Sequence, residues 1–277
     1  MLEIPEDASP YASRRSNACA LLNSDEFQRL VEAAEIYVAS RSALTSFIST
    51  LGNIVHRGFQ SIREDWQNEI HIKIRDALDF AQRAAVFNMD EDPGRSSSDH
   101  LYTATVLITG AGGGALGVPS VVAELPITTG LILRSIADIG RSYGERLDDP
   151  EFRATCIEVF AYGSPLDEDD DEEISFFAAR IGSVEFAEFI TKIAIRYLAA
   201  IAPKIAAMSV PVAGSVLGAG VNWAYMNFYQ SVARVLFILL PIERTHDREQ
   251  VRSCFASVVR EMRTKQEARK RRKSKTG

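Results

Sequence analysis

Two sets of residues in this sequence could do chemistry. The first is Gly110-Ala-Gly112-Gly-Gly-Ala115, which follows an apolar, β-branched run from Tyr102 to Thr109 and fits the GxGxxG/A pattern of dinucleotide sites. Glycines so spaced let the backbone approach a pyrophosphate at a helix N-terminus, and the helix must then run on unbroken against its strand. Pro119 and Pro126 are expected to break that helix. No Walker lysine follows, because Gly117 precedes Val118, and none of Tyr143, Tyr162, Tyr197, Tyr225 or Tyr229 opens a Tyr-x-x-x-Lys pair. A fingerprint without its strand and helix context carries little. A dinucleotide-binding oxidoreductase is therefore the remote reading, and no cofactor is expected.

The second set is Glu124, Arg134, Tyr143 and Asn222, polar groups within or beside apolar segments. A buried carboxylate or guanidinium needs a partner. Glu124 and Arg134 would make a charge-assisted pair if a turn brought their helices together, with Asn222 hydrogen-bonding to fix helix register. A ligand or lipid head-group site built from the same four is the other reading. No catalytic residue is assigned and no metal is expected. The sequence has no His-Glu-x-x-His and no Gly-x-Ser-x-Gly, and His56, His71, His100 and His246 share no metal-binding spacing.

The glycines have a second reading. Gly113 and Gly117, Gly110 and Gly114, and Gly214 and Gly218 each lie four apart, a spacing that makes a flat strip on a helix where another backbone can approach. Each glycine costs a helix about 1 kcal/mol relative to alanine, so a dense cluster needs close packing to offset it. Gly110, Gly114, Gly117, Gly214 and Gly218 are thus expected at helix contacts.

Helical periodicity dominates the elements that must carry these residues. A flexible arm (residues 1–23) precedes an amphipathic helix from Asp25 to Ser40, capped by Asn23 or Ser24. Apolar stretches follow over Leu44–Val55 and Ser61–Phe87, then a polar loop from Met89 to His100. Thr128 to Tyr143 is periodic and stopped by Gly144, an αL cap; Asp149-Pro150 opens a helix through Val159. Seven consecutive acids, Asp167 to Glu173, mark a solvated connector. Further helices cover Ser183–Met208, Val212–Leu240 and His246 to about Arg263. The one strand-like run is Tyr102–Thr109. The expected class is all-α: a single multi-helix domain (24–263) around two Gly-rich, closely packed apolar segments, then a disordered basic tail (264–277).

The 277 residues, 46% apolar and 25% charged, can bury a full core. Between Ile205 and Ala233 no residue is charged, which is long enough to span a bilayer, but Asn222, Asn227 and Gln230 are costly in lipid. Cys19, Cys156 and Cys254 lie far apart with no CxxC, so no disulfide framework is expected; a reducing compartment, and with no apolar leader a cytoplasmic protein, is the natural reading. Nine basic residues stand against two acidic ones from Arg260 to Gly277, leaving 22 basic and 35 acidic residues, or −13, elsewhere. An anionic membrane attracts such a run, here Arg269, Lys270, Arg271, Arg272, Lys273 and Lys275, by about 1 kcal/mol per basic residue. The acidic body would repel nucleic acid, which is not an expected partner.

The stretch from Gly110 to Ser164, and the later PVAGSVLGAGVNWAYMNFYQSVARVLFILLPIER, resemble the two signature blocks of the EcsC family, named for a protein encoded beside the Ecs ABC transporter. The likeness covers about residues 100–260 and rests on Gly112–Gly117, Glu124-Leu125-Pro126, Leu133-Arg134, Tyr143-Gly144, and Gly214, Gly218 and Asn222. The family usually has Asp where Glu124 stands. The resemblance implies a helical, mainly bacterial protein associated with the inner face of the membrane, working beside a transporter or envelope protein, with no established biochemical activity. A non-enzymatic accessory role is expected, and a membrane-proximal hydrolase acting on peptide or lipid is the alternative.

Overall fold

The computed structural model describes residues 19–61, 72, 89, 92, 95–113, 118–162, 197, 205 and 214–276. Within these the secondary structure is helical, with no strand among the described residues: α1 (Ser24–Ser61), α2 (Asp99–Gly113), α3 (Val118–Ser142), α4 (Pro150–Glu158) with a 3-10 turn at Val159–Ala161, α5 (Gly214–Thr245) and α6 (Arg248–Thr276). The all-α expectation holds. The helices expected over Ser61–Phe87 and Ser183–Met208, the acidic connector, most of the N-terminal arm, and Gly114 and Gly117 lie outside the described residues.

Helix ends follow local chemistry. Asn23 Oδ1 accepts from the Glu26 amide (2.9 Å) while Glu26 Oε2 accepts from the Asn23 amide (3.0 Å), a reciprocal cap that starts α1. Asp149 Oδ1 accepts from the Glu151 amide at 2.8 Å and Pro150 supplies a preset φ, which starts α4. Gly144 has φ +91° and Glu145 N donates to Gly140 O at 3.1 Å, so α3 stops where expected.

Four expectations are corrected. The strand-like Tyr102–Thr109 is the middle of α2. Its threonines turn their hydroxyls back on the helix, Thr105 to Leu101 O (2.8 Å) and Thr109 to Val106 O (3.1 Å), so β-branched composition does not decide the element here. The prolines do not break α3 either. Pro119 occupies the first turn, where no amide hydrogen is needed, and Pro126 lies inside a helix that continues to Ser142.

The basic run is not a disordered tail but the continuation of α6 to Thr276. Arg, Lys, Gln and Glu are good helix formers, an i,i+4 pair joins Glu261 to Lys265 (2.8 Å), and cations suit a helix C-terminus. Finally, Cys19 and Cys254 form a disulfide with Cα atoms 4.9 Å apart, across 235 positions of sequence. Cys156 is free and buried, and burial, then the Glu145 carboxylate, pushes its thiol well above the ordinary range.

The chain divides into two compact units. One comprises residues 1–39, 169–182 and 235–277. There Phe27, Leu30, Val31, Ala34 and Val38 of α1 are buried at helical spacing, as are Val251, Phe255, Val258 and Met262 of α6. Tyr37 meets Phe255 edge-on (6.0 Å between centroids), and the Arg263 guanidinium lies 5.7 Å from the Tyr37 centroid. Glu26 bonds His246 (3.0 Å), and the buried Glu243 carboxylate accepts from Arg248 Nε (2.6 Å) and Arg252 Nε (2.7 Å), joining the end of α5 to α6.

The second unit, residues 40–168 and 183–234, contains α2, α3 and α4 and the Gly-rich part of α5. The residues before α2 are held from α3. Ser98 N donates to Asp138 Oδ2 (2.6 Å), and Arg141 forks onto Asp138 Oδ1 (2.9 and 3.1 Å) while reaching Ser96 O and Asp92 O.

Two measurements test this architecture. Glu243→Ala leaves the Arg252 guanidinium buried without this carboxylate and is expected to lower unfolding stability by about 3 kcal/mol; a loss under 1 kcal/mol in denaturant titration would mean that the pair contributes little. The amide of Asn23, then His246, holds the Glu26 carboxyl below its ordinary 4.5. A carboxyl lowered in the folded state stabilises above its unfolded pKa, and that contribution is lost as pH falls through the folded value. Glu26→Gln should therefore flatten the acid limb of the stability profile, and an unchanged limb would show that the cap carries no linkage.

Candidate functional site

Every contact described here lies in the second unit. Gly110 of α2 faces Gly218 of α5 so closely that a Cβ built on Gly110 would stand 2.5 Å from Gly218 O and 2.5 Å from Asn222 Nδ2. Four residues back on α2, Val106 O accepts from the same Asn222 Nδ2 at 3.0 Å, and Asp99 O accepts from Gln230 Nε2 at 3.3 Å. Arg234 adds an ion pair to Asp99. Positions thus rise along α2 as they fall along α5, and the two helices run antiparallel. Small residues let the backbones approach, and the asparagine and glutamine amides link them.

Helix α3 joins the same contact. Glu124 Oε1 accepts from Asn222 Nδ2 at 2.8 Å, and Gln230 Nε2 donates to Ser135 Oγ at 2.9 Å, so α3 runs parallel to α5. Thr128, one turn on, donates its hydroxyl to Glu124 Oε1. Asn222 is fully buried and Glu124 is 5% exposed. Both hydrogens of one amide are therefore used, one on a backbone carbonyl and one on a carboxylate.

A cluster of aromatic side chains lies beside this junction. Thr129 Oγ1 and Tyr197 OH are 3.1 Å apart. The Tyr197 ring packs edge-on against Phe160 (4.7 Å) and Tyr229 (5.8 Å), while Tyr225 lies 6.3 Å from Tyr229. Burial pushes the Tyr197 and Tyr225 hydroxyls far above the ordinary phenol range, the nearby Glu124 carboxylate adding to the rise at Tyr197. Trp223, next to Asn222, is 48% exposed.

Of the four expected polar residues the structure joins two. Glu124 and Asn222 meet, but Arg134 sits on the same helix as Glu124, ten positions on and about 15 Å along the axis, so these two do not form the expected pair. Arg134 lies instead by Tyr102, whose hydroxyl is pushed up by burial and then by Asp138, with Arg134 pulling the other way. Tyr143 is in the turn after α3 and is exposed.

Among the glycines, Gly110 and Gly218 form a contact as expected and Gly214 is the first residue of α5. Thr128, Thr129 and Ser135 join these contacts without having been singled out from the sequence, and Gln230, noted there only as costly in lipid, joins α5 to α2 and α3. A hydroxyl four positions after a buried carboxylate was the available signal for Thr128.

The dinucleotide reading does not fit this geometry. Gly110 to Gly113 occupy the last turn of α2, where carbonyls rather than amides are left over, and a helix C-terminus repels phosphate. Among the described residues no three His, Cys, Asp or Glu side chains group as metal ligands. The part of α5 from Gly218 to Thr245 is long and apolar enough to cross a membrane, but 78% of its apolar window is buried within the protein, as in the core helix of a soluble fold.

The glycine contact gives a paired test. Gly110→Ala overpacks against Gly218 and Asn222 and is expected to cost about 1–3 kcal/mol. Gly52→Ala, at an exposed position of α1 where a Cβ meets nothing within 4 Å, should stabilise by up to about 1 kcal/mol. Equal effects of the two changes on thermal unfolding would remove the contact from the explanation.

No curated protein and no solved structure matches this chain. The family described as the EcsC protein family matches residues 38–239, a span that includes α2, α3, α4 and nearly all of α5. The residues that make the buried junction, Val106, Gly110, Glu124, Gly218 and Asn222, all fall inside it. On that match the chain belongs to the EcsC protein family.

Proposed function

We propose that this protein is a non-enzymatic accessory protein of bacterial transport or envelope processes that associates with the anionic face of a membrane. The observation that carries the reading is the C-terminal part of α6. Arg269, Arg271 and Arg272 are exposed there, and six basic positions between 269 and 275 fall around the whole helix circumference. After Met262 the helix has Ala268 as its one apolar residue, so it has no face to insert in lipid. It is a polybasic rod on a body of opposite charge, suited to Coulomb attraction at a lipid surface.

The buried junction supports the non-enzymatic half. Asn222 Nδ2 ties Val106 O of α2 to the Glu124 carboxylate of α3, which Thr128 also supports, while Asn222 Oδ1 is buried without a hydrogen bond among the described residues; an enclosed linkage of this kind suits register rather than turnover. A membrane-proximal hydrolase would need Glu124 to reach a substrate, and that residue is almost wholly enclosed. The family likeness supplies the transport and envelope context.

Co-sedimentation with vesicles containing phosphatidylserine, at low and high salt, tests the reading on the full chain and on one lacking residues 269–275. Binding is expected at low salt, with loss on truncation and loss near 1 M salt, where the Debye length is about 3 Å. Equal binding by both chains at both salt concentrations would overturn the role of α6. Salt-resistant binding that survives truncation would shift the contact to the apolar segments.

A further inference from the structure

The disulfide plays no part in the reading above, and its two ends sit in unlike surroundings. Cys254 is in the interior of α6, fixed by helix hydrogen bonds on both sides, and is fully buried. Cys19 begins a short strap, residues 19–23, ahead of α1. The strap buries Cys19 and Leu22 but exposes Ala20 and Asn23. Its bonds include a backbone one from Leu22 N to Cys19 O at 3.3 Å and the reciprocal cap between Asn23 and Glu26. Glu26 in turn bonds His246, just ahead of α6. Two ties, one covalent and one polar, thus join the start of α1 to α6.

We propose that Cys19–Cys254 is a thiol-exchangeable latch that closes the strap onto α6 and opens by local release of the strap, without unfolding of either unit. The sulfurs are enclosed when the strap is down, so a reductant reaches them only when it lifts. A dithiol then attacks Cys19 Sγ as its thiolate. The Cys19–Cys254 bond breaks, Cys254 leaves as a thiolate and takes a proton from water, and Cys19 is held in a mixed disulfide. The second thiol of the reductant closes on the mixed disulfide, expelling Cys19 as a thiolate that is protonated in turn. The reductant leaves as a cyclic disulfide; two electrons pass to the protein, and both cysteines end as thiols. Oxidation by a small disulfide runs the same steps backwards. In the reduced state the covalent tie is gone, and the cap and the Glu26–His246 contact remain as polar ties at this end of α1.

The test uses the full chain with dithiothreitol as the dithiol. Thiol titration of the oxidised, denatured chain should find one free thiol, Cys156, and three after reduction. Reduction should accelerate amide exchange about tenfold or more over residues 19–31, leaving α2 and α3 unchanged. Asn23→Ala weakens the strap's cap and should speed reduction of the folded protein about fivefold, whereas Gly110→Ala, which loads the other unit, should leave that rate unchanged.

Three free thiols after oxidant treatment would overturn the proposal. So would equal acceleration by both variants, which would mean that exchange waits for unfolding of the whole chain. Unchanged exchange over residues 19–31 between oxidised and reduced wild-type protein would overturn it as well, and this comparison needs no variant to fold.

Discussion

The second unit turns on the close approach of Gly110 and Gly218, and on what that approach demands of Asn222. Two backbones this near leave no room for a Cβ at Gly110, so the contact carries no side-chain interlock of its own. Specificity comes from the amide beside it. Asn222 gives one hydrogen to a carbonyl of α2 and one to the carboxylate of α3, a combination satisfied in one relative placement of the three helices. Sliding either helix by a turn would take an acceptor from the buried Asn222 amide, and a buried polar group left unpaired costs about 1–3 kcal/mol. The farther Gln230 link and the Arg234–Asp99 pair repeat the same register two turns away. The rest of this packing, including the aromatic cluster of Tyr197, Phe160 and Tyr229, is built around helices already fixed in this way.

Much of this was legible before the structure. Caps are local chemistry, so Asn23, Asp149 and Gly144 announced their elements, and the spacing of Phe27, Leu30, Val31, Ala34 and Val38 gave the buried face of α1. The small-residue spacing placed Gly110 and Gly218 among five glycines expected at helix contacts, and polarity in an apolar run singled out Glu124 and Asn222.

What misled was longer in range or balanced between rules. Tyr102–Thr109 has the composition of a strand, yet it is helical with Val106 as its one buried residue and with Thr105 and Thr109 turning their hydroxyls onto helix carbonyls. Glu124 and Arg134 were read as partners because opposite charges in apolar surroundings attract, but a helix running through Pro126 keeps them about 15 Å apart. The disulfide left no trace in spacing, since 235 positions separate its cysteines and proximity there is a property of the finished fold. The basic run was misjudged for a different reason: its charge suggests disorder while its residue types favour helix, and α6 supplies the turns already formed on which it propagates.

The division of the chain also orders its biogenesis. Residues 40–234, which include all of the second unit, are translated before any of residues 235–277, so the glycine contact and its amide links have all their parts while α6 is still unmade. The other unit is discontinuous, and Tyr37 of α1 meets Phe255 of α6 only after residues 40–234 have been made. Domains commonly fold as units during elongation, N-terminal parts first. Here α1 is made before the parts of the second unit and α6 after them, so the α1–α6 contact forms across a long interval of elongation.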